Sequence, residues 1–126
     1  MCILMVEDEA LIAEIMAEAL EDAGYDVITA FTGPEAMALI ERCCDHFSAL
    51  FSDFHLPGGL TGLDVAAAMH HRRPGLPVVM ATGRPDVLSA QGLDCAAYVV
   101  LHKPYTPTDM LAALRPLVAP THARRI

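Results

Sequence analysis

Two kinds of apolar pattern alternate along the chain. Ile3 to Val6 is a short continuous apolar run that meets acid abruptly at Glu7, Asp8 and Glu9. After it, Leu11, Ile12, Ile15, Met16, Ala19 and Leu20 recur at helical spacing until Gly24. The pattern predicts a strand, an acidic loop and a helix. Tyr25 to Ala30 is rich in β-formers, and Thr32-Gly33-Pro34 opens a second helical stretch carrying Ala36, Met37, Leu39 and Ile40. Ala49 to Phe54 reads as a third strand, Pro57-Gly58-Gly59 as a loop, and Leu63 to His71 as a helix that ends before Pro74. Val78 to Ala81 predicts the fourth strand. A short helix over Pro85 to Gln91, with only Val87 and Leu88 as its apolar face, precedes a fifth strand at Ala97 to Leu101. Thr106-Pro107 starts a last helix whose Met110, Leu111, Leu114 and Leu117 share one face.

Five strands alternating with five helices predict an α/β fold with a doubly wound parallel sheet, because parallel neighbours need helical crossovers and those crossovers are right-handed. The flavodoxin-like order 2-1-3-4-5 is the expected arrangement, and ligands then sit beyond the carboxyl ends of strands 1 and 3, where the winding reverses. One domain over residues 1–120 is expected, with residues 121–126 a short flexible tail. No internal repeat or linker interrupts it.

Composition narrows the function. Of 126 residues 54% are hydrophobic, enough for a core that needs no disulfide or metal to fold. Asp and Glu total 16 against 8 Lys and Arg, a formal net charge of -8, which repels a phosphate backbone and argues against nucleic acid as a partner. Mean hydropathy is +0.39, yet no apolar run is long enough to cross a bilayer, so no membrane association is expected. No signal peptide is recognisable, since the acids at 7–9 interrupt the first apolar run. The four cysteines, Cys2, Cys43, Cys44 and Cys95, contain no C-x-x-C pair; reduced thiols in a cytoplasmic protein are the expectation.

Candidate chemistry gathers at the carboxyl ends of the strands. Strand one ends in Glu7-Asp8, strand three in Asp53, strand four in Thr82-Gly83 and strand five in Lys103-Pro104. Carboxylates brought together at one edge repel unless a cation shares the site, and a hard divalent ion with oxygen ligands, Mg²⁺, meets that need. An ammonium, a hydroxyl and Mg²⁺ around a carboxylate are what a phosphoryl acceptor requires. Taken singly these residues have plainer readings: an Asp after a strand as a helix cap, a strand-end Lys as a surface cation, a Thr as a turn former. Their conjunction favours the site.

The motifs Ile3-Leu4-Met5-Val6-Glu7-Asp8, Ser52-Asp53-Phe54-His55-Leu56-Pro57, Pro77-Val78-Val79-Met80-Ala81-Thr82-Gly83 and Lys103-Pro104-Tyr105 closely resemble those of the response-regulator receiver domain, the aspartyl-phosphate module of two-component signalling. The resemblance implies that Asp53 is the phosphoacceptor, that Glu7 and Asp8 serve Mg²⁺ together with Asp53 and the backbone carbonyl of His55, and that Thr82 and Lys103 contact the phosphoryl group. It implies a Lys103-Pro104 bond that is often cis, and it places His55 and Arg84 beside the attacking water, where they tune phosphoryl lifetime. The donor would be a histidine kinase or histidine phosphotransfer protein.

The sequence also departs from the common pattern. Val100 stands where many receivers carry a switching aromatic, with Tyr98 two residues earlier on the same strand face. Met80-Ala81-Thr82-Gly83 is similar to the Phe-Ala-Thr-Gly of a subfamily of stand-alone receivers, and the loop after Pro57 is longer by a residue than the commonest one. His70-His71 ends a helix, where cations are favoured, and His46, His102 and His122 form no ligand set. The expectation is a single-domain phosphoacceptor signalling protein, not a turnover enzyme. It would act on a downstream protein target or in a phosphorelay through a face including Val87, Leu88, Tyr98, Val100 and Tyr105. Two alternatives are a pseudo-receiver that binds partners without phosphorylation and a phosphatase of the haloacid dehalogenase type; the latter wants an Asp where this chain has His55.

Overall fold

The first strand, β1 (Cys2–Val6), is buried along its whole length in a computed structural model of the chain, as befits a central strand covered on both faces. The structure describes residues 1–84 and 98–119. The other strands are β2 (Asp26–Ala30), β3 (Phe47–Asp53), β4 (Val78–Thr82) and β5 (Val99–His102). All pairings are parallel and the order is β2-β1-β3-β4-β5, the predicted doubly wound arrangement. The described helices are α1 (Ala10–Asp22), α2 (Gly33–Cys43), α3 (Gly62–Arg72) and α4 (Pro107–Leu114), with a short 3₁₀ turn at Cys44–His46. The helix expected over Pro85 to Gln91, with Val87 and Leu88, and the tail at 121–126 lie outside the described residues, as does Cys95.

Strand alternation divides the core. Leu4, Val6, Leu50 and Met80 face α2 and α3, where Ile40, Val65 and Met69 meet them, while Ile3, Met5, Phe51 and Val79 face Met16, Leu20, Met110 and Leu114 of α1 and α4. Two helix faces differ from expectation. In α1 the buried positions are Ala13, Met16 and Leu20, whereas Leu11 and Ile15 are 69% and 47% exposed. After α4, Leu117 is exposed and Val118 is buried instead, because the helix ends at Leu114 and the following turn rotates the chain.

Long-range hydrogen bonds close the layers. The buried Tyr25 hydroxyl donates to Val118 O at 2.6 Å, tying the entry of β2 to the end of the described chain. Arg73 Nη1 donates to Cys44 O and Phe47 O at 3.0 and 2.9 Å, pinning the entry of β3 to the end of α3. Cys2, Cys43 and Cys44 are free thiols, and no helix among the described residues is long and apolar enough to cross a membrane.

Candidate functional site

Sheet register carries the strand ends to one edge. Val6 pairs with Ser52, Asp53 with Ala81, and Thr82 with His102, so Glu7, Asp53, Thr82 and Lys103 occupy neighbouring positions at the carboxyl ends of β1, β3, β4 and β5. Backbone bonds continue past the ladders: Glu7 N donates to Ala30 O at 3.0 Å, Phe54 N to Ala81 O at 2.8 Å and Lys103 N to Thr82 O at 2.9 Å. The peptide bond between Lys103 and Pro104 is cis.

Within this edge, one carboxylate oxygen each from Glu7, Asp8 and Asp53 lies within 4.8 Å of the others. Glu7 and Asp53 are each only 4% exposed, while Asp8 faces solvent. The Lys103 ammonium forms an ion pair with Asp53 Oδ1, a buried atom with no other polar partner among the described residues. Burial pushes the Asp53 carboxyl up against the opposing pull of Lys103. Glu7 rises to about 7, mainly through burial, with the Asp53 charge adding to it against a hydrogen bond from Glu9 N. One ammonium thus leaves the acids underneutralised. Three clustered oxygen donors, two of them buried and resisting ionisation, fit a hard divalent cation such as Mg²⁺. Two residues past Asp53, the His55 carbonyl accepts no backbone hydrogen bond from a described residue.

The other expected residues fall in distinct places. Thr82 is fully buried and its Oγ1 accepts from Arg84 N at 3.0 Å, which fixes the turn leaving β4. The exposed His55 ring stands edge-on to Phe54, with centroids 4.7 Å apart. Tyr98 lies at the amino end of β5, opposite the acids, stacked on His70 at 5.7 Å and 23°. His70 in turn approaches Leu76 O at 2.8 Å through Nε2. Val100 is 38% exposed. The contact face expected from Tyr98, Val100 and Tyr105 therefore divides: Tyr98 packs on the α2 and α3 side, Tyr105 on the α1 and α4 side.

Tyr105 belongs to the site more closely than its sequence position suggested. It packs edge-on to Phe51 at 5.7 Å and, with Glu7, Glu9, Ile12, Met16, Lys103 and Pro104, lines a cavity of about 400 Å³. Burial, reinforced by the charges of Glu7 and Asp53, holds its phenol well above the usual range. An aromatic two residues past the strand-end lysine was the available signal.

Gly62 was also missed as a site residue. A Cβ there would lie 2.3 Å from Asp53 O and 2.6 Å from Met80 Sδ, so only glycine lets α3 start against the end of β3.

Comparison with known proteins agrees with this geometry. The family model described as "Response regulator receiver domain" matches residues 3–115. Among curated proteins, the chain is 38% identical over 117 residues to the alginate biosynthesis transcriptional regulatory protein AlgB of Pseudomonas aeruginosa, covering 91% of this chain and 25% of that one. It is 35% identical to the transcriptional regulatory protein TcrA of Mycobacterium tuberculosis, covering 91% of this chain and 45% of TcrA. The chain thus spans under half the length of these relatives. Among solved structures, the chemotaxis response regulator CheY4 of Vibrio cholerae superposes with a TM-score of 0.76 at 28% identity, over 93% of this chain and 98% of that one. A receiver domain protein from Clostridium thermocellum gives 0.79 at 25% identity, with 92% of both chains covered. With its sheet order, its acidic edge and a family match across most of its length, the chain belongs to the response regulator receiver domains of two-component signalling.

Proposed function

We propose that Asp53 accepts a phosphoryl group from a phosphohistidine on a histidine kinase or histidine phosphotransfer protein, and that the chain passes the signal on through a protein partner or a phosphorelay in the cytoplasm. The observation that carries this reading is the buried Asp53 carboxylate, ion-paired with Lys103 and clustered with Glu7 and Asp8 at the carboxyl edge of the sheet.

In the proposed reaction an Asp53 carboxylate oxygen attacks phosphorus, the phosphorus–nitrogen bond breaks, and the departing imidazole nitrogen keeps the electron pair and takes a proton from solvent. Glu7, Asp8, Asp53 and the His55 carbonyl would hold Mg²⁺. When bound, the ion supplies charge neutralisation for the phosphoryl oxygens. Lys103 exchanges part of its pairing with Asp53 for the transferred oxygens, and the Thr82 hydroxyl donates to another. His55 and Arg84, on the loops that leave β3 and β4, flank the line along which water attacks and set how long the acyl phosphate survives.

Treatment with Mg²⁺ and a small-molecule phosphodonor tests the assignment. One phosphoryl group per chain on Asp53, absent from Asp53→Ala, is expected. No adduct in the unaltered protein favours a phosphorylation-independent binding module, and sustained phosphoester turnover favours a phosphatase.

A further inference from the structure

The loop between β3 and α3 is closed on itself. His55 forms an isolated antiparallel bridge with Thr61, and Gly62 N donates to Phe54 O at 2.8 Å beside it. Gly58 and Gly59 turn the intervening chain with φ of 88° and 87°, values that disfavour side chains although space is open at both. Asp64, exposed in the first turn of α3, accepts at a single oxygen, Oδ2, from both Thr61 N (2.8 Å) and Thr61 Oγ1 (3.3 Å). Its carboxylate therefore fixes the residue that pairs with His55, while touching none of the acids at the site.

We propose that Asp64 is a positioning residue for the metal. By holding Thr61, it sets the backbone of His55 and so the direction of the carbonyl offered beside Asp8 and Asp53. This rests on the Mg²⁺ assignment above. The physical basis is that groups which orient a ligand contribute to metal affinity without touching the ion. A freely turning glycine loop would offer the same carbonyl in many directions, at an entropic cost on every binding event.

Mg²⁺ binding to the whole chain, measured by titration calorimetry, tests the proposal. Asp64→Ala should weaken the affinity about tenfold. Asp64→Asn, which is neutral but keeps an acceptor oxygen for Thr61 N–H, should stay within about twofold of the parent, separating hydrogen bonding from charge. The same arrangement caps α4, where Thr106 N donates to Asp109 Oδ2 at 2.9 Å. Asp109→Ala therefore removes an equal charge and an equal cap away from the loop, and it should also stay within about twofold. Exchange of the Gly62 amide should quicken in Asp64→Ala and not in Asp109→Ala.

Unchanged affinity in Asp64→Ala overturns the proposal. So does an Asp64→Asn variant as weak as Asp64→Ala, or an equal loss in Asp109→Ala. Asp8→Asn distinguishes the two levels. If it abolishes binding while Asp64→Ala does not weaken it, only the positioning role fails. If the parent takes up no Mg²⁺, the metal assignment fails and this proposal with it.

Discussion

Glu7 and Asp8 are neighbours in the chain with opposite environments. Glu7 turns inward, 4% exposed and titrating near 7, whereas Asp8 stays in solvent. The sign of the consequence is definite. A folded-state value of about 7 against an unfolded value of about 4.5 means that the folded chain holds a proton which the unfolded chain has lost. Stability therefore falls as pH rises from 4.5 through 7 and levels off above it. Glu7→Gln should raise the thermal midpoint of the metal-free protein by a few degrees at pH 8, a gain on the order of 1 kcal/mol, and by little at pH 4.5. Thermal denaturation at the two pH values, read by circular dichroism, checks this. The chain has no tryptophan and three tyrosines, so the site also carries its own reporter. Mg²⁺ should change tyrosine emission, and Tyr105→Phe should remove most of the change, since the Tyr105 phenol lies in the field of Glu7 and Asp53.

Among the elements, α1 and the start of α3 show how packing departs from pattern. Leu11 and Ile15 keep helical spacing with each other, yet they lie about 100° or more around the helix from the buried stripe of Ala13, Met16 and Leu20. Leu11→Ala should cost under about 0.5 kcal/mol in urea denaturation, against about 2–5 kcal/mol for Met16→Ala. At α3 the constraint is backbone contact. Gly62→Ala should cost about 1–3 kcal/mol or more, because the new methyl meets the Asp53 carbonyl, which cannot yield as a flexible side chain does. Tyr25→Phe leaves the Val118 carbonyl without its donor and should cost about 1–2 kcal/mol by the same measurement.

For the whole molecule, the proposed metal binding would be linked to protonation through the acidic edge. Saturation at 100 times the dissociation constant stabilises the fold by about 2.7 kcal/mol. Because a proton on Glu7 competes with the ion, the rise in thermal midpoint on adding a fixed Mg²⁺ concentration should be larger at pH 8 than at pH 5.5. A rise independent of pH would separate Glu7 from the metal. The excess of acid over base spread across the chain makes its surface broadly negative, whereas at this edge the Lys103 ammonium supplies local positive charge.

Strand and helix alternation, sheet order and the residues at the strand ends were all legible in the sequence, because backbone period and chain connectivity are local properties and leave one dominant way to wind five parallel strands. Tertiary structure decided what depends on distant neighbours. It buried Val118 and exposed Leu117, set Tyr98 against His70 at the far end of β5, and drew Tyr105 and Gly62 to the acidic edge around Asp53. Each of these outcomes depends on which atoms from other elements arrive beside a residue. No period or spacing along the chain encodes that arrival.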